Sequence, residues 1–138
     1  MTDLSRFVMA QQGVYPEALA ELRRGRKQSH WMWFVFPQIA GLGHSAMAQR
    51  YAIADLAEAR AYLAHPILGA RLRECTGAML AHAGTSPRAI LGDIDAVKLR
   101  SSMSLFEAAA ADEALFGACL DAFFDGVRDA ATLGLLGY

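Results

Sequence analysis

Long apolar runs are missing from this sequence, and no stretch approaches the roughly 20 consecutive apolar residues that a helix needs to span a bilayer. A membrane-spanning helix is therefore not expected. Charge is scarce too: 13 basic residues stand against 14 acidic ones, a net of −1, and charged residues form only 20% of the chain. That balance provides no overall attraction to nucleic acid or to an anionic membrane, so neither is an expected partner. Cysteine is limited to Cys75 and Cys119, each in a run of apolar helix formers, and no CxxC or His/Cys cluster signals a metal site. Met1-Thr2-Asp3 lacks the basic and apolar regions of a secretory signal, which makes the reducing cytoplasm the expected compartment. Two buried thiols acting as small hydrophobes fit that setting, although the spacing alone also allows a disulfide.

What is present is a large apolar fraction, 54% of 138 residues, which excludes a disordered or fibrous chain. A chain of this mass exposes roughly 7,000 Å² when folded against roughly 22,000 Å² when extended, enough burial for one real core. A single domain over residues 1–138 is expected.

Helix start and stop signals recur every one to two dozen residues, and they predict an all-α bundle of about six to eight short helices. Leu4, Phe7, Val8 and Gln11 share one face of a first helix, with Thr2 or Asp3 as cap and Gly13 as stop. Tyr15-Pro16 opens a second that carries Leu19 and Leu22 inward and ends at Gly25. Asp55 and Glu58 form a capping box, and Pro66 starts a helix whose stripe is Leu68, Leu72, Cys75 and Met79. Ser86-Pro87 begins a short helix. Asp93 or Asp95 then caps a long one through Ala111, Asp112 opens another closed by Gly126, and Asp129 caps the last. Between Ser29 and Gln38 every position from Trp31 to Phe36 is apolar, so both faces are buried; an extended segment and a helical turn ending before Pro37 both fit.

Gly41-Leu-Gly-His-Ser-Ala46 matches a relaxed dinucleotide fingerprint, but Pro37 breaks the preceding run and the later segments read as helical. A flexible turn with Ser45 capping a short helix toward Tyr51 is the better reading. No Ser-His-Asp order or nucleophile elbow is visible.

The long helix carries the most informative pattern. At 100° per residue, Leu99, Met103, Phe106 and Ala110 form one apolar band and Ile94 with Leu105 another, while Arg100, Ser104 and Glu107 face water. Asp95, Lys98 and Ser102 lie between the two bands. Lys98 thus aims inward, where an ammonium group requires a carboxylate, carbonyls or an anionic ligand. An ion pair with Asp95 is the structural reading; a ligand site is the functional one. Arg26 and Lys27 run into His30, Trp31 and Trp33, a pairing of basic and aromatic groups suited to phosphate and a flat ring, or equally to solvated charge beside core indoles. His30 adds an imidazole able to exchange protons near neutral pH.

The block Ser29-His-Trp-Met-Trp-Phe-Val-Phe-Pro-Gln38 resembles a bacterial family catalogued as domain of unknown function 1810, sometimes labelled calpastatin-like. The likeness continues through Met47–Ile53, Ala59–Pro66, Asp95 with Lys98–Phe106, and Phe124-Asp-Gly126 with Asp129, with Ser104 where a threonine is expected. It implies a compact helical fold and brings no established activity. The Asp-x-x-Lys element is also similar to domains of the NADAR type, which process ADP-ribose derivatives.

Two functions follow as expectations. One is binding or processing of a phosphate-bearing nucleotide derivative related to ADP-ribose or NAD, with N-glycosidic hydrolysis as the reaction to test. Lys98, Asp95 and His30 are its candidate catalytic residues, and Arg26, Lys27, Trp31, Trp33, Gln38, Arg50, Tyr51, Ser101 and Ser102 its candidate ligand contacts. No cofactor is expected. The other is a non-catalytic helical interaction module in which the same polar residues form a buried network.

Overall fold

The computed structural model describes residues 3–138, which form ten helices. In chain order they are α1 (Ser5–Gln11), α2 (Tyr15–Arg24), α3 (Met32–Val35), α4 (Ala46–Arg50) and α5 (Leu56–Ala64), then α6 (Leu68–Leu80), α7 (Pro87–Leu91), α8 (Asp93–Ala109), α9 (Ala114–Phe124) and α10 (Ala130–Leu136). Ten exceeds the expected six to eight, and the shortest of them are α3, α4 and α7, of four or five residues each. The only β pairing among the described residues is an isolated parallel bridge between Ile39 and Ile53. No helix among them is long and apolar enough to cross a membrane.

Local chemistry explains most boundaries. Ser45, Asp55, Ser86 and Asp129 each accept a backbone N–H at the start of their helix, as their positions predict. Gly25 ends α2 in the left-handed conformation at φ 74°. Three starts differ from the sequence reading. α6 begins at Leu68 rather than Pro66 because the His65 imidazole Nδ1 accepts from the Ile67 and Leu68 amides, taking over as the cap. α8 is preceded by Gly92 and ends at Ala109, so neither Asp93 nor Asp95 caps it: Asp93 pairs with Arg88 and Asp95 turns into a cleft. α9 starts after Glu113, not Asp112. Thr2, one of the two caps expected for α1, lies outside the described residues; Asp3 Oδ1 accepts from the Ser5 amide at 2.9 Å.

Residues 31–36 resolve as the helical turn. Trp31, Met32, Phe34, Val35 and Phe36 are all buried, and the Phe34 carbonyl at the end of the turn accepts from the Gln11 side-chain Nε2 at 2.7 Å. The core is aromatic at its centre, where Phe7 meets Tyr62 edge to face at 5.2 Å and Tyr62 meets Phe106 at 5.4 Å. α8 runs through the middle, packed against α5, α7, α9 and α10. Cys75 and Cys119 are buried free thiols, each pushed up to about 12 by burial in apolar surroundings, as small inert hydrophobes are. On α8, Ser104 is buried rather than water-facing: its hydroxyl donates to the Arg100 carbonyl and accepts the Asp129 amide. Ile94 is the opposite case. At 74% exposure it stands on the rim of the cleft instead of in the core.

Candidate functional site

The organising group is Glu21, on the buried face of α2. Its carboxylate accepts four hydrogen bonds from the loop that follows: the Gln28 and Ser29 amides, the Ser29 hydroxyl and the Trp31 indole N–H. Burial alone raises such a group's pKa, yet the four donors outweigh it and bring this one down to about 2. The sequence reading did not single out Glu21. Its signal was the unmet need for an acceptor, since an indole N–H, a hydroxyl and two amides leave the helix together.

With the loop fixed, Lys27 is threaded back across it. Its side chain is only 8% exposed, its ammonium donates to the Ser29 carbonyl, and it lies 5.0 Å from the centre of the Trp31 ring. From there Nζ reaches Asp95 Oδ2, in the first turn of α8, at 2.8 Å. The other oxygen, Oδ1, is 3.3 Å from Lys98 Nζ one turn further along the helix. Two ammonium groups share one carboxylate, which leaves a local surplus of one positive charge.

That surplus sits at Lys98. Its ammonium rests 4.4 Å from the centre of the Trp33 ring, a cation–π contact that holds the head over one indole face. A cleft of about 450 Å³ opens here, lined by Lys27, His30, Trp33, Asp95, Lys98 and the Leu91–Ile94 turn among others. The inward direction of Lys98 and Asp95 expected from helical phase is therefore observed, and His30 and Trp33 are brought to the same place.

Beyond Trp33, Ile94 and Lys98, which line both spaces, lies a second depression of about 610 Å³. Gln38 and Ser101 lie on its wall. Ser101 is already committed, its single O–H shared between Asp129 Oδ2 at 3.0 Å and the Val97 carbonyl at 3.2 Å.

The remaining candidates fall elsewhere. Trp31 is fully buried with its N–H held by Glu21, so it packs the core behind Lys27 instead of stacking a ligand. Tyr51 is likewise buried, against Phe7 and Phe34. Arg50 lies over the Tyr51 ring at 5.5 Å, away from both depressions. Arg26 is exposed and lines neither, because Gly25 turns it to the outside. Ser102 points into the packed interior, where its hydroxyl has no hydrogen-bond partner.

Residues 1–136 match the model of a family described as a protein of unknown function, DUF1810. No curated protein matches the chain. Among solved structures, the crystal structure of the conserved hypothetical protein Rv1873 from Mycobacterium tuberculosis is similar over 99% of this chain and 97% of its own, at 50% identity and a TM-score of 0.96.

Proposed function

The chain belongs to the DUF1810 family of proteins of unknown function, and from its cleft we propose that it binds a phosphate-bearing nucleotide derivative of the ADP-ribose or NAD class. One observation carries the reading: Lys98 is held over Trp33 at 4.4 Å at the mouth of a concave space, with only a half-share of a carboxylate. An ammonium group placed there retains attraction for a further anion, and a diphosphate satisfies it. The volume of about 450 Å³ lies in the range of small-molecule sites.

The reaction proposed for the site is hydrolysis of an N-glycosidic bond. Water adds at the anomeric carbon, the bond to the base nitrogen breaks, and the base departs with a proton. The Asp95 carboxylate would face the positive charge that develops on the sugar, the exposed His30 imidazole would take the proton from water and pass it to the departing base nitrogen, and Lys98 would hold the phosphate. Calorimetry with ADP-ribose tests the binding step. Saturable binding that Lys98→Ala abolishes is the expected result; no heat with ADP-ribose, ADP or NAD overturns the proposal.

A second reading has its own observation. Lys27, Asp95 and the Ser29 carbonyl already form a closed, mostly buried network, as a purely structural module would have. Under that reading Lys98 belongs to the network, and removing it destabilises the fold.

A further inference from the structure

The cleft around Lys98 and the depression beyond Trp33 are two lobes of one trough, since Trp33, Ile94 and Lys98 line both. Their characters differ. The first lobe is ringed by charged and titratable groups: Lys27, His30, Asp93, Asp95 and Lys98. The second is walled chiefly by apolar side chains, Leu42, Ala48, Ile94, Val97 and Trp33, of which Ile94 and Val97 stay 74% and 56% exposed on the helix rim. Two large aliphatic groups left one turn apart at the edge of a concavity are a surface that a ligand covers.

Trp33 itself has one face occupied by the Lys98 ammonium. A flat ring on a ligand anchored at Lys98 finds that face taken, and the adjoining apolar surface is the second lobe. The polar groups there are mostly engaged. Asp129 holds Ser101, the Thr132 amide and the Thr132 hydroxyl, and the Ser45 hydroxyl caps α4. Two side chains differ: the His44 imidazole and the Gln38 carboxamide have no hydrogen-bond partner among the described residues, the Gln38 backbone carbonyl alone being engaged, by the Ile53 amide. A carboxamide offers a donor and an acceptor side by side, the pattern that pairs with the edge of a nucleobase.

We infer that the second lobe is the subsite for the heterocyclic half of the ligand, with Leu42, Ile94 and Val97 covering the ring and the Gln38 carboxamide reading its edge, while Lys98 takes the phosphates. This rests on the nucleotide reading of the first lobe and extends it to specificity: the ligand spans the Trp33–Lys98 wall, and the base half discriminates.

Isothermal titration with three kinds of probe separates the halves. ADP-ribose reaches both lobes, ribose 5-phosphate only the first, and the nucleosides adenosine, guanosine and nicotinamide riboside only the second. Gln38→Leu and Leu42→Ala are expected each to weaken ADP-ribose and the preferred nucleoside by about tenfold and to leave ribose 5-phosphate unchanged. Lys98→Ala should abolish ribose 5-phosphate binding and spare the nucleoside. Equal affinities for ADP-ribose and ribose 5-phosphate, both lost in Lys98→Ala and both indifferent to Gln38→Leu, overturn the subsite and keep the first lobe. A nucleoside that binds through Gln38 while ADP-ribose binds no better has the opposite meaning: the subsite stands and the phosphate reading falls. Silence from every probe overturns both.

Discussion

Lys27 Nζ stands 2.8 Å from Asp95 Oδ2, a contact that joins the loop after α2 to the first turn of α8 across 68 positions of sequence. Both segments line the cleft, the loop through Lys27 and His30 and the helix through Asp93, Asp95 and Lys98. The pair also divides the work of the two lysines. Lys27 is enclosed and belongs to the scaffold; Lys98 is reachable and belongs to the ligand.

That division fixes two melting experiments. Lys27→Met strips an enclosed carboxylate of its shorter contact and should lower stability by about 2–3 kcal/mol, at the modest end for a broken buried pair because Lys98 still faces Asp95. Lys98→Met should stay within about 0.5 kcal/mol of the parent protein. A large loss on removing Lys98, measured by chemical denaturation, would favour the purely structural module.

Glu21 gives a pH prediction. Its pKa falls from an ordinary 4.5 to about 2 in the folded protein, so the folded state holds the deprotonated form more tightly than the unfolded chain does. The stabilisation is present above pH about 4.5 and fades as pH drops toward 2, a swing of about 3 kcal/mol. Urea unfolding of the parent and of Glu21→Gln should therefore show a wide gap at pH 7 that narrows by pH 3. A gap independent of pH would mean that the carboxylate's charge is irrelevant to the loop.

Ser102 and Ser104 are near neighbours on α8 with opposite expectations. The Ser102 hydroxyl is buried without a partner, so Ser102→Ala should be neutral or stabilising by up to about 1 kcal/mol. Ser104 donates to Arg100 and accepts from Asp129, and Ser104→Ala should cost about 1 kcal/mol or more. Thermal melts of the two variants compare them directly.

Gly25 is a backbone prediction. At φ 74° a Cβ is strained, and it would stand 3.0 Å from the His82 ring, which itself contacts the carbonyls of Leu22 and Arg23. Gly25→Ala should cost about 1–2 kcal/mol by denaturant unfolding. Gly77→Ala, on the exposed side of α6 with nothing within 4 Å of its Cβ, should be neutral or better.

Helix starts were legible in the sequence at Ser45, Asp55, Ser86 and Asp129, but not at Asp93, Asp95 and Asp112, acidic residues of the same kind that are not the caps of α8 and α9. His65 was not, since imidazole seldom caps and the proline beside it drew the boundary. The angle of Lys98 and Asp95 was legible because it follows from 100° per residue. The same rule misplaced Ile94: phase gives direction around an axis but not whether a neighbour stands there, and at the first turn of α8 none does. Choosing between Trp31 and Trp33 needed the fold as well. The two differ by about 200° on a turn whose conformation the sequence left open, and Glu21, ten positions before Trp31, decides which indole turns inward.

The bridge between Ile39 and Ile53 has a consequence for how this protein can change. Two backbone hydrogen bonds, Ala40 N–H to the Ile53 carbonyl and the Ile53 N–H to the Gln38 carbonyl, each 2.8 Å, clasp the neck of the excursion that carries Leu42, His44 and α4. Drift in length or composition between Leu42 and α4 alters the shape offered to a visitor, while Tyr51, at the far end of the excursion, stays anchored against Phe7 and Phe34. A lineage built this way can trade one guest for another while its bundle stays still.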